Sequence, residues 1–291
     1  MSILVDAKTR VICQGITGIQ ATFYVERAIA SGTKMVGGVR PGKGGRQHLD
    51  LPVFDTVQQA KDATGADTTV VFVPKAVAAA AIMEAIEADM ALIVCITEHI
   101  PVLDMVDVLQ ALEKSNSKLI GPNSPGIITP GACRIGIMPI EIFRPGSVGI
   151  VTRSSTLTYE AVLQTSVAGL GQSTCIGIGG DTVRGMGFIE CLEQFKTDPD
   201  TKAVLLIGEI GGSEEESTAE YLRRSSYPKP VVAYIAGQSA MPERRMGHAS
   251  AIIEGGTGAA AGKIEALQNA GVQVVQFPLE IGSTVASLVP E

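Results

Sequence analysis

The stretch Arg10-Val11-Ile12-Cys13-Gln14-Gly15-Ile16-Thr17-Gly18 decides the fold of the first half of the chain. Residues 10–14 have the short apolar pattern of a buried strand, and residues 19–30 carry a helical pattern. Between them, Gly15 and Gly18 allow a tight turn at which backbone can approach a diphosphate lying on the free N–H groups of the helix start. The spacing is not a full G-x-G-x-x-G, so a plain strand-to-helix turn fits these two glycines as well. Working outward, the rhythm repeats. Strands are expected over 34–39, 69–73, 91–96 and 118–120, with helical patterns between them. One of these, 102–114, places Leu103, Val106, Leu109 and Leu112 on one apolar face. Near-continuous apolar strands joined by helices mean a parallel sheet covered on both sides.

From Gly121 to Gly146 the chain changes character, with Pro122, Pro125, Pro130, Pro139 and Pro145 set among glycines. The alternation then restarts, with strands expected over 148–151, 175–178, 203–207, 231–235 and 272–275. The reading is an α/β protein of two doubly wound domains, 1–122 and 147–291, joined by a Pro/Gly-rich segment over 123–146.

Bulk properties exclude several classes. Of the 291 residues 45% are hydrophobic, enough for two cores, and the formal charge of -7 gives no general footprint for nucleic acid. A bound anion therefore needs a local cluster of cations. The five cysteines form no C-x-x-C pair and lie mostly in apolar runs, so they read as buried thiols of a reducing compartment and leave no metal site. The start Met1-Ser2-Ile3-Leu4-Val5-Asp6 has neither the charged nor the apolar region of a signal peptide, and the Ala-rich stretch 76–90 carries Glu84, Glu87 and Asp89. A soluble, cytoplasmic protein without membrane contact is expected.

Two places carry chemistry. After the second strand, where an NAD site would present an acidic residue to the ribose, the chain has Arg40-Pro41-Gly42-Lys43-Gly44-Gly45-Arg46. Cations there fit a phosphorylated ribose, either NADP or the 3′-phosphorylated adenosine of coenzyme A. Ile96-Thr97-Glu98 ends the fourth strand on the same ligand-binding edge. In the second half, Val148-Gly149-Ile150-Val151-Thr152-Arg153-Ser154-Ser155-Thr156 runs from strand into a hydroxyl-capped helix start, a setting that suits phosphate. Glu209 ends a very apolar strand and is placed to hold an imidazole by one ring nitrogen. His248, one of only three histidines, lies between Gly247 and Ala249, where backbone can crowd its ring, and is the candidate phosphoryl carrier. His48 and His99 sit in loops without such a setting, and Glu214-Glu215-Glu216 reads as a solvated helix start.

Together these stretches resemble, along essentially the full length, the alpha subunit of succinate–CoA ligase. The resemblance is carried by Gln14-Gly15-Ile16-Thr17-Gly18, by 36–45, by Ile96-Thr97-Glu98, Gly121-Pro122-Asn123-Ser124-Pro125-Gly126 and Leu157-Thr158-Tyr159-Glu160-Ala161. It continues through Gly177-Ile178-Gly179-Gly180-Asp181, Gly208-Glu209-Ile210-Gly211-Gly212 and Arg245-Met246-Gly247-His248-Ala249. The resemblance implies a Rossmann-like CoA-binding domain followed by a flavodoxin-like domain. It implies CoA contacts from Thr17, Gly18, Ile19, Gln20, Lys43, Ile96, Thr97 and Glu98, a phosphohistidine at His248 oriented by Glu209, and phosphoryl binding at Ser154 and Ser155. Tyr159, Asn123 and Ser124 are implied at the organic acid, a small dicarboxylate. ATP/ADP or GTP/GDP with Mg is implied on a separate ATP-grasp beta subunit, in a heterodimer or heterotetramer.

The chain departs from the family pattern at several points. Ser124 stands where cysteine is usual, Ser155 interrupts the usual Arg-Ser-Gly-Thr, Pro139-Ile140-Glu141 replaces Pro-Gly-His, and Pro242-Glu243-Arg244 replaces Pro-Lys-Gly. These leave the acid open between succinate and malate. A CoA-binding regulatory homologue without ligase activity is a further alternative, as is an NADP-dependent reductase. Against the reductase, the chain lacks the G-x-G-x-x-G spacing and has no evident hydride-transfer site.

Overall fold

Buried β-branched strands flanked by helices recur throughout the computed structural model, which describes residues 2–255 and 257–289. The chain divides into two units. The first is Leu4–Met138 with Val183–Gly185; the second runs from Pro139 to the C-terminal helix without that short return.

In the first unit, β1 (Arg10–Gln14) leads through the glycine turn into α1 (Ile19–Ala30), then β2 (Lys34–Val39). A small antiparallel pair follows, β3 (Gln47–His48) and β4 (Leu51–Phe54), with Gln47 opposite Pro52. Next come α2 (Val57–Thr64), β5 (Thr68–Val71), α3 (Lys75–Glu87), β6 (Leu92–Cys95), α4 (Val102–Leu112) and β7 (Lys118–Ile120). The sheet order is β3-β4-β2-β1-β5-β6-β7, parallel except for β3. Cys13 pairs with Gly38 on one side and Val70 on the other, and Val94 with Ile120. Ile12, Val71, Ile82, Ile93, Met105 and Leu119 join one core beneath α2, α3 and α4. Each such fully buried side chain is worth about 1.5–3 kcal/mol, so the sheet is the rigid base on which the loops are hung. The crevice beyond the strand ends, where β1 lies between β2 and β5, is the expected ligand edge of a doubly wound sheet.

One sequence expectation fails here. The inward face of α4 is Met105 and Val108, with Leu112 partly buried, whereas Leu103 is 79% exposed and Val106 36%. Two apolar rows interleave along this helix. The row at 105, 108 and 112 keeps a helical spacing as regular as the one at 103, 106 and 109, and packing against the sheet chose it. Residues 126–136, within the Pro/Gly-rich segment, form a hairpin of β8 (Gly126–Thr129) and β9 (Cys133–Gly136), with Ile127 opposite Ile135.

The second unit contains β10 (Pro145–Thr152), α5 (Ser155–Val167), β11 (Gln172–Gly177), α6 (Phe188–Thr197), β12 (Ala203–Glu209) and α7 (Glu214–Ser225). It ends with β13 (Val231–Ala236), α8 (Ala260–Asn269), β14 (Gln273–Val275) and α9 (Ile281–Leu288). These strands are parallel in the order β14-β13-β12-β10-β11. Numbered within the unit that is 5-4-3-1-2, the flavodoxin-like arrangement, whose switch point lies between its first and third strands. Here that gap separates β10 from β12, with Thr152 paired to Ile207. Arg153 and Glu209 therefore emerge side by side at the switch point. Helix α5 packs with α9, and α7 with α6 and α8, the two groups that clothe the sheet.

Candidate active site

At the switch point of the second unit, Glu209 is 6% exposed on the last position of β12, and its carboxylate faces His248. The Nδ1 of His248 lies 2.8 Å from Oε2 and 3.0 Å from Oε1 of Glu209. A carboxylate oxygen accepts, so Nδ1 carries the hydrogen and Nε2 keeps the lone pair. The hydrogen bond to Glu209 holds the imidazole above its ordinary pKa, with Asp181 adding to it; burial and the Arg153 cation pull the other way. Gly180 lies against the ring, since a β-carbon there would sit 2.5 Å from Cγ and Nδ1. The histidine side chain remains 31% exposed. A neutral, oriented, accessible imidazole can act as a nucleophile.

The helix start that follows Arg153 is capped by its own hydroxyls. Ser154 caps α5, its Oγ accepting the Leu157 N–H at 3.4 Å, and the Thr152 hydroxyl accepts the Ser154 N–H at 3.0 Å. Ser154 and Ser155 are half-buried, and Tyr159, one turn into α5, is half-buried too.

Behind His248 is an ion cluster that the sequence did not reveal. Arg153, 3% exposed, donates from Nη1 to Glu215 Oε1 at 3.0 Å and from Nη2 to the Ser250 hydroxyl at 2.7 Å, and its Nη2 lies 3.3 Å from Glu209 Oε1. Ser250 in turn donates to the Gly180 carbonyl at 2.8 Å. Glu215 also accepts the Glu209 N–H at 3.1 Å and pairs with Lys263, which is fully buried. Burial alone would push the Glu215 carboxyl up, but the Arg153 and Lys263 cations outweigh it and hold it below the usual carboxylate range. This corrects the reading of 214–216 as a solvated helix start. Glu215 is 2% exposed, and Glu214 accepts the Phe188 N–H at 3.0 Å. The acidic run was legible; the cations that draw it inward are 62 and 48 residues away.

The first unit holds the other expected residues. Gly15, at φ +84, donates to the Val39 carbonyl at 2.9 Å and its carbonyl accepts the Gly18 N–H at 2.9 Å, which leaves Thr17, Gly18, Ile19 and Gln20 exposed at the helix start. Gly18 caps α1 without a side-chain bond, so the first-turn N–H groups have no side-chain acceptor from the cap. The basic loop after β2 is stapled from beneath: Asp55 Oδ1 accepts the N–H groups of Lys43 at 3.1 Å and Gly44 at 2.9 Å. Arg40, Lys43 and Arg46 are all exposed on it. Between this loop and the glycine turn opens a cleft of about 370 Å³, lined by Gly15, Val39, Pro41, Val73, Pro74 and Val77 among others. The wall of the cleft is mostly apolar, with Gln14, Arg40 and Glu84 as its polar members. At the same edge, the Thr97 hydroxyl donates to the Val73 carbonyl at 2.7 Å, and the Asn123 N–H donates to the Thr97 carbonyl at 2.9 Å. Ser124 is 2% exposed and its Oγ accepts the Gly126 N–H at 2.8 Å, a bond internal to the turn.

The remaining chemistry-bearing side chains are quiet. His48 contacts the Thr22 hydroxyl at 2.8 Å, and His99 lies 3.7 Å from Glu98 at the surface. All five cysteines are buried, and burial pushes the thiols of Cys13, Cys133 and Cys175 up, Cys133 to about 12. Among the described residues no group of three or more His, Cys, Asp or Glu could hold a metal ion, and no helix is long and apolar enough to cross a membrane.

Two family models match the chain. A family described as a CoA binding domain matches residues 6–99, and one described as CoA-ligase matches residues 151–273. The chain is 52% identical to the ADP-forming succinate–CoA ligase subunit alpha 2 of Archaeoglobus fulgidus, over 99% of this chain and 100% of that one. It is 51% identical to the ADP-forming succinate–CoA ligase subunit alpha of Staphylococcus aureus, over 100% of this chain and 96% of that one. Among solved structures it is similar to ATP citrate lyase from Methanosaeta concilii in complex with (3S)-citryl-CoA, with a TM-score of 0.91 and 26% identity. That match covers 99% of this chain but only 50% of the lyase, so the chain spans about half of that protein. A CoA-binding module followed by a CoA-ligase module defines an acid–thiol ligase chain. The chain belongs to the succinate–CoA ligase alpha-subunit family.

Proposed function

We propose that the chain is the alpha subunit of an ADP-forming succinate–CoA ligase and that His248 carries the phosphoryl group between the two half-reactions. The observation that carries this reading is the pairing of His248 Nδ1 with Glu209 at 2.8 Å, which leaves Nε2 as the nucleophile. A carboxylate is a poor electrophile toward a thiol. Nε2 takes the γ-phosphoryl group from the nucleotide, releasing the diphosphate. The succinate carboxylate then attacks that phosphorus, the N–P bond breaks, and an acyl phosphate forms. Glu209 stabilises the charge on the ring while it is phosphorylated and keeps the required tautomer. Ser154 and Ser155, at the start of α5, receive the anion. Coenzyme A supplies the thiol that displaces phosphate from the acyl carbon.

Its adenosine diphosphate portion fits the first unit. The exposed start of α1 at Thr17, Gly18, Ile19 and Gln20 would meet the diphosphate, Lys43 the ribose phosphate, and Ile96, Thr97 and Glu98 the further arm of the ligand. The domain limits 1–122 and 147–291 follow this division of labour. The nucleotide, with Mg, is assigned to a separate ATP-grasp beta subunit, because the S. aureus relative is named a subunit alpha and this chain has no P-loop lysine motif. A cytoplasmic location goes with the reduced cysteines. Tyr159, Asn123 and Ser124 are assigned to the acid, with succinate as the substrate and malate as the alternative that the polar Ser124 suggests. Reconstitution with the beta subunit tests this: succinyl-CoA formation should exceed malyl-CoA formation at least tenfold in kcat/KM, and a preference for malate of that size would overturn the succinate assignment.

A further inference from the structure

Phosphoryl transfer through a side chain needs that side chain held, and nothing in the CoA or nucleotide chemistry explains a buried Arg153 with partners on three segments. One guanidinium nitrogen, Nη2, serves both the Ser250 hydroxyl at 2.7 Å and Glu209 Oε1 at 3.3 Å. The other, Nη1, is anchored to Glu215 at 3.0 Å, and Glu215 is itself fixed by Lys263 and by the Glu209 N–H. Ser250 passes the restraint on, donating to the carbonyl of Gly180, the residue against which the imidazole lies. Ser250 is two residues after His248 in a turn closed by the Ala251 N–H to the His248 carbonyl at 3.2 Å.

We propose that Arg153 and Ser250 are positioning residues for His248: the guanidinium fixes the Glu209 carboxylate and, through Ser250, clamps the histidine turn onto Gly180. This rests on His248 being the phosphoryl carrier. A planar fork can satisfy Glu215, Glu209 and Ser250 together, whereas an ammonium on a flexible stem cannot hold all of them in one geometry. Misplacement of a reacting group by about 1 Å costs on the order of 10²-fold in rate, so loosening the clamp should be visible in turnover.

The test uses the alpha chain reconstituted with its beta subunit, comparing Arg153→Lys, Ser250→Ala and His248→Asn. Arg153→Lys should lower the initial rate of histidine phosphorylation at least tenfold with little change in KM for ATP, and Ser250→Ala at least threefold. In both variants the long-range proton–nitrogen NMR signals of His248 should lose the single Nδ1–H tautomer and average toward a mixture. Wild-type rates together with a wild-type imidazole signature in these variants would overturn the clamp, provided His248→Asn is dead. If His248→Asn still takes label, the phosphoryl-carrier reading itself fails, and the two failures are thereby separated. Should Arg153→Lys not fold, Ser250→Ala decides alone, since it removes one hydroxyl and leaves every charge in place.

Discussion

Gly180 and the imidazole of His248 are in direct contact, close enough that a β-carbon on the glycine would lie 2.5 Å from the ring. The site therefore has no room for any side chain at 180, and the ring orientation is set from one face by backbone and from its edge by Glu209. Gly180→Ala should force the ring off Glu209. Single-turnover phosphorylation by the reconstituted enzyme should fall on the order of 10²-fold while thermal stability changes little. A variant with more than half the wild-type rate would show that the contact does not orient the histidine.

The pH profile follows from the raised pKa of His248. Its neutral form is the nucleophile, so phosphorylation should increase with pH through a midpoint above that of an ordinary imidazole. Glu209→Gln removes the main causes of the upward shift and leaves burial and the Arg153 cation, which act downward, against Asp181 alone. The acid limb of the rate profile should then move to lower pH even though the plateau falls. The same sign governs stability. The contribution of this pair is fully present below the unfolded pKa and is lost as pH rises through the folded one, so the gap in denaturation midpoint between wild type and Glu209→Gln should narrow toward alkaline pH.

Coenzyme A binding is expected to depend on the cationic loop and not on the histidine. Lys43→Glu replaces a charge-assisted contact worth about 1.5–3 kcal/mol by a repulsive one, so calorimetric affinity for CoA should fall at least tenfold with His248 phosphorylation intact. Unchanged CoA affinity would remove Lys43 from the assignment.

Much of this was legible in the sequence, and the failures have physical causes. The long parallel strands, the turn at Gly15 and the candidates His248 and Glu209 are each announced by their own neighbours. The short strands β3, β4, β8 and β9 are not, because they lie in glycine- and proline-rich stretches without a long apolar run. Lys263 and Glu215 were not legible. Lys263 sits in a helix of ordinary polar composition and Glu215 in an acidic run, and only their approach across 48 residues makes both buried. Arg153 is hidden for the same reason, since it reads as a strand-end residue until Glu215 and Ser250 are brought to it. On α4, two apolar rows of equal quality left the inward face to tertiary packing. Asp55, which staples the basic loop, is an unremarkable turn residue until its bonds to Lys43 and Gly44 are seen.

The buried ion cluster also makes a stability prediction. Lys263→Met leaves Glu215 and Glu216 without their lysine while Glu215 stays buried, and removal of one partner from a buried pair costs about 3–5 kcal/mol. Urea denaturation at pH 7 should show a loss of that order. Because Glu215 is held below the usual carboxylate range, its contribution is present above the unfolded pKa and disappears as pH falls through the folded one. The difference between wild type and Lys263→Met should therefore shrink in acid; a difference that persists unchanged there would contradict the ion-pair account.

The central claim is the phosphohistidine, and locating the phosphoryl group tests it most directly. The wild-type chain, incubated with its beta subunit and γ-labelled ATP, should acquire an acid-labile, base-stable label that mass spectrometry places on His248. His248→Asn should take no label and form no succinyl-CoA while still binding CoA. Label recovered on Ser154 or Ser155, or turnover retained by His248→Asn, would contradict the account.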